Sequence, residues 1–164
     1  MRPWLPLLAG SALYAAALLW SAAELPPAGV PVHFDASGTP TRFGTRGEFL
    51  AFGTLFGALL AAVGLGTYLL VTRGPLTMVN IPHKEYWTHP ERVTRLRRML
   101  GQDMSVTFGV VLAFLAFVPV GTVHATTAQP PRLPVGPMWI VVGLLVAGLA
   151  LWCVWLARYR YRPS

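Results

Sequence analysis

Histidine is the side chain whose unperturbed pKa lies nearest neutrality, and the chain has four of them. His33 and Asp35, two residues apart, share one side of an extended strand, and with His124 they form a three-residue set able to hold a metal. The plainer reading of His33 is a turn histidine bonded to a carbonyl, because two ligands on one strand fall short of the three or four that zinc takes. His83, Glu85, His89 and Glu91 form a second group, in which Glu91 has a rival role as a helix cap and His89 precedes a proline. Other catalytic patterns are absent: there is no Gly-x-Ser-x-Gly, His-Glu-x-x-His, Gly-rich phosphate loop or Cys-x-x-Cys. The single cysteine, Cys153, has no partner for an internal disulfide or a thiolate metal cluster, and no cofactor is expected.

These residues are positioned by segments built for a bilayer. Four uncharged apolar runs, Trp4 to Ala23, Phe49 to Thr72, Met104 to Val123 and Met138 to Ala157, are each long enough to cross a ~30 Å hydrocarbon core, which takes ~20 helical residues. With 54% hydrophobic and 12% charged residues, no material is left for a separate soluble core, so residues 1–164 read as one membrane domain. Lys and Arg divide ten (Arg2, Arg73, Lys84, Arg92, Arg95, Arg97, Arg98, Arg158, Arg160, Arg162) against three (Arg42, Arg46, Arg132). That bias places both termini and the connector 73–103 in the cytoplasm, with loops 24–48 and 124–137 on the outer face. The expected fold is an all-α integral membrane protein, four transmembrane helices as two hairpins, with a short amphipathic cytoplasmic interfacial helix. The expected location is the bacterial inner (cytoplasmic) membrane. The net charge of +7 falls beside span ends, which suits anionic lipid headgroups rather than nucleic acid. Ser21-Ala22-Ala23 offers the small residues of a signal-peptidase site, but the length of the first run and the lone Arg2 favour retention.

The first outer loop is dense in turn formers. Val30 to Phe34 reads as extended, Asp35-Ala36-Ser37-Gly38 as a turn with a positive φ at Gly38, and Thr39 to Phe43 as a return strand. Phe34 and Phe43 are expected to face the membrane interface. The motif Pro31-Val32-His33-Phe34-Asp35-Ala36-Ser37-Gly38-Thr39-Pro40, directly after a first span, resembles the signature of domain of unknown function 1648. This is a bacterial membrane domain also found at the N-terminus of Sdp-type toxin-immunity proteins. Asn80-Ile81-Pro82, Tyr86-Trp87 and Pro90-Glu91-Arg92 resemble the family's cytoplasmic segment. Members carry an acid just after the second proline and a lysine a few residues on; here Thr41 and Arg46 stand there, so the positive charge is kept and the acid lost. The resemblance implies a non-enzymatic immunity or envelope-signalling role, with Pro31, His33, Phe34, Asp35, Gly38 and Pro40 as the binding motif. The partners implied are membrane lipids and another membrane or extracytoplasmic protein.

In the connector, Arg73-Gly74-Pro75 stops the second span, and Thr88-His89-Pro90-Glu91 fits a capping box opening a helix from about His89 to Leu100. Val93, Leu96 and Leu100 then share one face and Arg92, Arg95 and Arg98 the next, with Tyr86 and Trp87 anchoring the entry; Gly101 and Asp103 mark a break before the third span. Gly53 and Gly57 give the second span a small-residue face for another helix, internal or from a second protomer. Pro119 predicts a kink near the outer end of the third span, and the loop Ala125 to Pro137 a stiff connector. No Asp, Glu, Lys, Arg or His falls within the four runs. Two other functions stay open: a small membrane enzyme or metal-dependent factor using His33, Asp35 and His124, and an assembly subunit acting through Gly53 and Gly57.

Overall fold

The computed structural model describes residues 2–163. Four helices are long and apolar enough to cross a membrane, which makes the chain a multi-pass membrane protein. The first is α1 (Leu5–Glu24) and the second α2 (Arg46–Arg73). The third is α4 (Pro90–Leu115) continued by α5 (Phe117–Thr127), and the fourth is α6 (Val135–Trp155), prolonged by a π-helical turn over Leu156–Arg160. A two-stranded antiparallel hairpin, β1 (Ala28–Phe34) and β2 (Pro40–Thr45), links the first two helices. The connector carries the short α3 (Lys84–Trp87).

Lipid is as apolar as leucine, so helices in a bilayer associate through close van der Waals contact and hydrogen bonds rather than through hydrophobic burial. The tightest contact is between α1 and α4. There a Cβ added to Gly10 would run into the backbone of Gly109, and one added to Gly109 into the carbonyl of Pro6. The Leu7 amide also donates to Ser105 Oγ at 3.0 Å. Leu7, Tyr14, Leu18 and Leu112 form the core of this crossing, and α2 packs on both helices. By contrast α6 buries no residue, and its side-chain hydrogen bond to α4 runs from Trp152 Nε1 to Thr107 Oγ1, 3.2 Å. The packing is therefore three helices plus one, with α1 lying more closely on α4 than on α2, the helix that follows it in the chain.

Three expectations about the third span need correction. The connector helix does not break at Gly101 and Asp103: α4 runs through both, because Gly101 lets the helix lie against Tyr68 and Thr72 of α2 and Asp103 is buried as a bonded side chain. No separate interfacial helix forms; its residues are the first turns of α4. Thr88 and Glu91 do not make the capping box. Proline disfavours helical backbone in the residue before it, so His89 is extended (ψ 137°) and the helix starts one residue later, at Pro90. Thr88 Oγ1 instead donates to the Lys84 carbonyl at 3.0 Å, closing α3. The same Thr-x-x-Glu pattern does cap a helix elsewhere: Thr45 Oγ1 accepts the Glu48 amide at 3.1 Å, opening α2 three residues before its apolar run.

Pro119 acts as expected. Its missing N–H leaves the Leu115 carbonyl without its usual partner, and the helix breaks at Ala116. The helix then continues to Thr127, so His124 lies in its last turn rather than in a loop.

Contacts assign the ends of the bundle. The start of α1, the connector and the C-terminus meet at one end, through Leu7–Ser105 and a bond from Trp87 Nε1 to the Tyr161 carbonyl, 2.9 Å. The hairpin and the loop after α5 meet at the other, where the Leu133 amide donates to the Gly38 carbonyl at 2.9 Å.

Candidate functional site

The distal end is a built platform. Asp35 Oδ1 accepts the Ser37 amide (2.8 Å), the Thr39 amide (3.0 Å) and the Ser37 hydroxyl (2.7 Å), which closes the turn, and Gly38 takes φ +83°. These bonds, the Ser37 side chain first and the Thr39 amide next, hold the Asp35 carboxyl below the usual aspartate range. A lowered folded pKa means that the turn gains its carboxylate bonds at all pH above the unfolded value and loses them as pH falls through the folded one. The expected result is an Asp35 carboxyl resonance titrating below that of a free aspartate, with the Ser37 and Thr39 amide signals shifting in the same acid step. Amide signals indifferent to that step would refute the bonding.

The loop after α5 is not the bland connector expected from its prolines. Besides the Leu133–Gly38 bond, Arg132 Nε and Nη2 donate to the Ser37 carbonyl at 3.3 Å each. A Cβ on Gly38 would strike the Leu133 carbonyl, so Gly38 is needed twice, for its φ and for this docking. On the other side Val30, Leu25 and Val123 form a small core that seats β1 on the bundle. Arg46 Nη1 donates to the carbonyls of Ala22 (3.1 Å) and Leu25 (3.3 Å), capping the end of α1 with a positive charge. Arg46→Ala should cost about 1 kcal/mol and Arg46→Lys less, read by thermal unfolding in detergent.

Within this platform His33, Thr41, Arg42 and Phe43 are exposed, while Pro31 is buried and Phe34 and Pro40 are partly so. Pro31 pairs with Phe43 and Phe34 with Pro40 across the hairpin. His33 Nδ1 lies 2.6 Å from Thr41 Oγ1, and Arg42 is paired with Glu48 at 2.7 Å. The three-residue set of His33, Asp35 and His124 is not assembled: among the described residues no three His, Cys, Asp or Glu side chains come together. The Asp35 carboxylate is directed into its own turn, and His124 borders a separate shallow pocket with Arg132 and Leu133. His83, Glu85, His89 and Glu91 are likewise not gathered.

At the opposite end lies an arrangement that the sequence did not reveal. Asp103, 1% exposed, accepts the Tyr161 hydroxyl on Oδ2 at 2.7 Å, and Arg160 Nη2 stands 3.2 Å from Oδ1. Burial first, then the bond to Asp103, pushes the Tyr161 hydroxyl far above the usual tyrosine range, so it remains a donor. Trp87, expected as an interfacial anchor, is instead buried with Leu96, Leu100, Val71 and Tyr161. Arg92 lies over the Tyr86 ring and Arg95 over Trp87, while Arg98, Asn80, Pro82 and Glu91 are exposed. The only advance signal was a lone acid three residues past Leu100, the expected end of the basic helix, and next to the apolar run; read as a cap, it hid its pairing with Tyr161.

Gly53 and Gly57 are occupied internally. Tyr14 Oη donates to the Gly53 carbonyl at 2.7 Å, and a Cβ on Gly57 would enter the Tyr14 ring. Gly57→Leu should therefore lower the melting temperature of the chain itself. A variant of unchanged melting temperature that altered only an assembly state would contradict this.

Fold and sites together define a multi-pass membrane protein with a clamped extramembrane hairpin at one end and a buried ionic tie at the other. No protein-family model matches the chain, and no curated protein or solved structure matches it either.

Proposed function

We propose that this is a non-enzymatic bacterial membrane protein of the family that its Pro31–Pro40 motif resembles, in which the outer hairpin recognises another membrane or extracytoplasmic protein in an immunity-like or envelope-signalling role. One observation carries the reading: the hairpin is held on two sides, by Arg132 and Leu133 and by the Val30 core, yet it leaves His33, Thr41, Arg42 and Phe43 exposed. Rigid display of exposed aromatic and charged side chains suits recognition, because little ordering entropy remains to be lost on binding. The ten-to-three bias of basic residues supports an inner-membrane chain with cytoplasmic termini and the hairpin outside.

The test is site-specific photocrosslinking in the native host from Phe43, with Gly66 on the lipid-facing side of α2 as control. A single protein adduct from Phe43, lost in His33→Ala or Arg42→Ala at unchanged yield, supports the reading. Adducts to lipid alone from both positions overturn it. Labelling of residue 43 by a membrane-impermeant thiol reagent, after Phe43→Cys in a Cys153→Ala background, tests the orientation. Labelling only after the membrane is opened contradicts it.

A further inference from the structure

At the arginine-rich end an apolar groove of about 440 Å³ lies between α2, the extended part of the connector, α4 and the end of α6. Leu70 and Val71 of α2, Asn80 and Pro82 of the connector, Met104 of α4 and Cys153 of α6 are among the residues that line it. It exists because the chain beyond α6 is held by Tyr161 and Arg160 on Asp103 while α6 itself does not pack closely on α2, which leaves a gap between them. Two arginines flank lining residues in sequence, Arg73 two residues beyond Val71 and Arg158 next to Ala157, and both are exposed. Among the described residues the only ion pair at this end is Arg160 with Asp103, so neither flanking charge is neutralised by a carboxylate.

We propose that this groove is a binding site for one anionic phospholipid, its acyl chain in the groove and its phosphate between Arg73 and Arg158. The charge decides the occupant. An apolar slot open to the bilayer takes an acyl chain of any lipid, but cations at its polar rim select a negative headgroup, each adding on the order of 1 kcal/mol. A transmembrane helix of a partner would bring no such charge, and a soluble acidic peptide would not fill an apolar slot.

The experiment uses the full chain in a non-ionic detergent, given equal amounts of dioleoyl phosphatidylglycerol and dioleoyl phosphatidylcholine, with retained lipid counted by native mass spectrometry. The expected result is one phosphatidylglycerol per chain at about 30-fold preference, falling toward parity in Arg73→Gln/Arg158→Gln. Arg98→Gln, away from the groove, should keep the preference. Ala157→Trp, which fills the slot, should remove the retained lipid; should that variant fold poorly, alkylation of Cys153 in the unaltered chain reports occupancy, slowing several-fold with phosphatidylglycerol. Equal retention of the two lipids, an unchanged preference in the double variant, or a second copy of the chain displacing lipid overturns the proposal.

Discussion

Gly109→Val is expected to destabilise the chain strongly, by about 3 kcal/mol, lowering the melting temperature in detergent by on the order of 10 °C. The reason is what the new side chain meets. At Gly109 the first added carbon would collide with the Pro6 carbonyl, and at Gly10 with the Gly109 backbone. Backbone cannot rotate aside as a leucine terminus can, so α1 and α4 must separate along their whole crossing. Separation also stretches the bond from the Leu7 amide to Ser105 Oγ, which is buried and has no water to replace it. Gly66→Val is the control, since nothing lies within 4 Å of its added Cβ. It should change stability by about 0.5 kcal/mol or less. Equal melting temperatures for Gly109→Val and Gly66→Val would mean that the two helices do not cross there.

Asp103→Ala carries the second large effect. A buried carboxylate is tolerable only while its partners are present, and removing it leaves the Tyr161 hydroxyl without its acceptor and the Arg160 guanidinium with Gln102 Oε1, 3.2 Å away, and water. Breaking such a pair costs about 3–5 kcal/mol when both partners are buried. Arg160 keeps a quarter of its side chain exposed and can turn toward water, so about 2–3 kcal/mol is the better expectation. Its character matters as much as its size. Because α6 buries no residue, the loss should appear as release of the C-terminal end rather than as unfolding of the bundle. Cys153, on the last turns of α6, should alkylate faster in Asp103→Ala while the bundle melts nearly as before. Tyr161→Phe should give the milder version, about 1 kcal/mol, and combined with Asp103→Asn it should show strong coupling. Additivity of the two would dissolve the latch as a unit.

Much of this architecture was legible in the chain. Apolar run length gives the four membrane helices because each span must satisfy its own backbone in lipid, which makes hydropathy a local signal. The turn at Asp35–Gly38 and the break before Pro119 were readable for a similar reason, since a carboxylate two residues from an amide and a proline without an N–H act on near neighbours. The misjudged cap shows the limit of such reading. Thr45 and Thr88 carry the same Thr-x-x-Glu pattern, and only the proline beside His89 tells them apart.

What only the tertiary structure decided is where distant pieces meet. Nothing near Asp103 in sequence announces Tyr161, 58 residues away, nor does the proline-rich loop announce that Arg132 will hold Ser37, 95 residues away. Gly53 and Gly57 read as a face for another helix, and only the fold showed that Tyr14 fills it. Composition and periodicity report which surfaces can enter lipid and which backbone must bend. The choice of partner for a buried carboxylate, a bare glycine or a docking loop is set by the three-dimensional crossing of helices, where contact is close and water is absent.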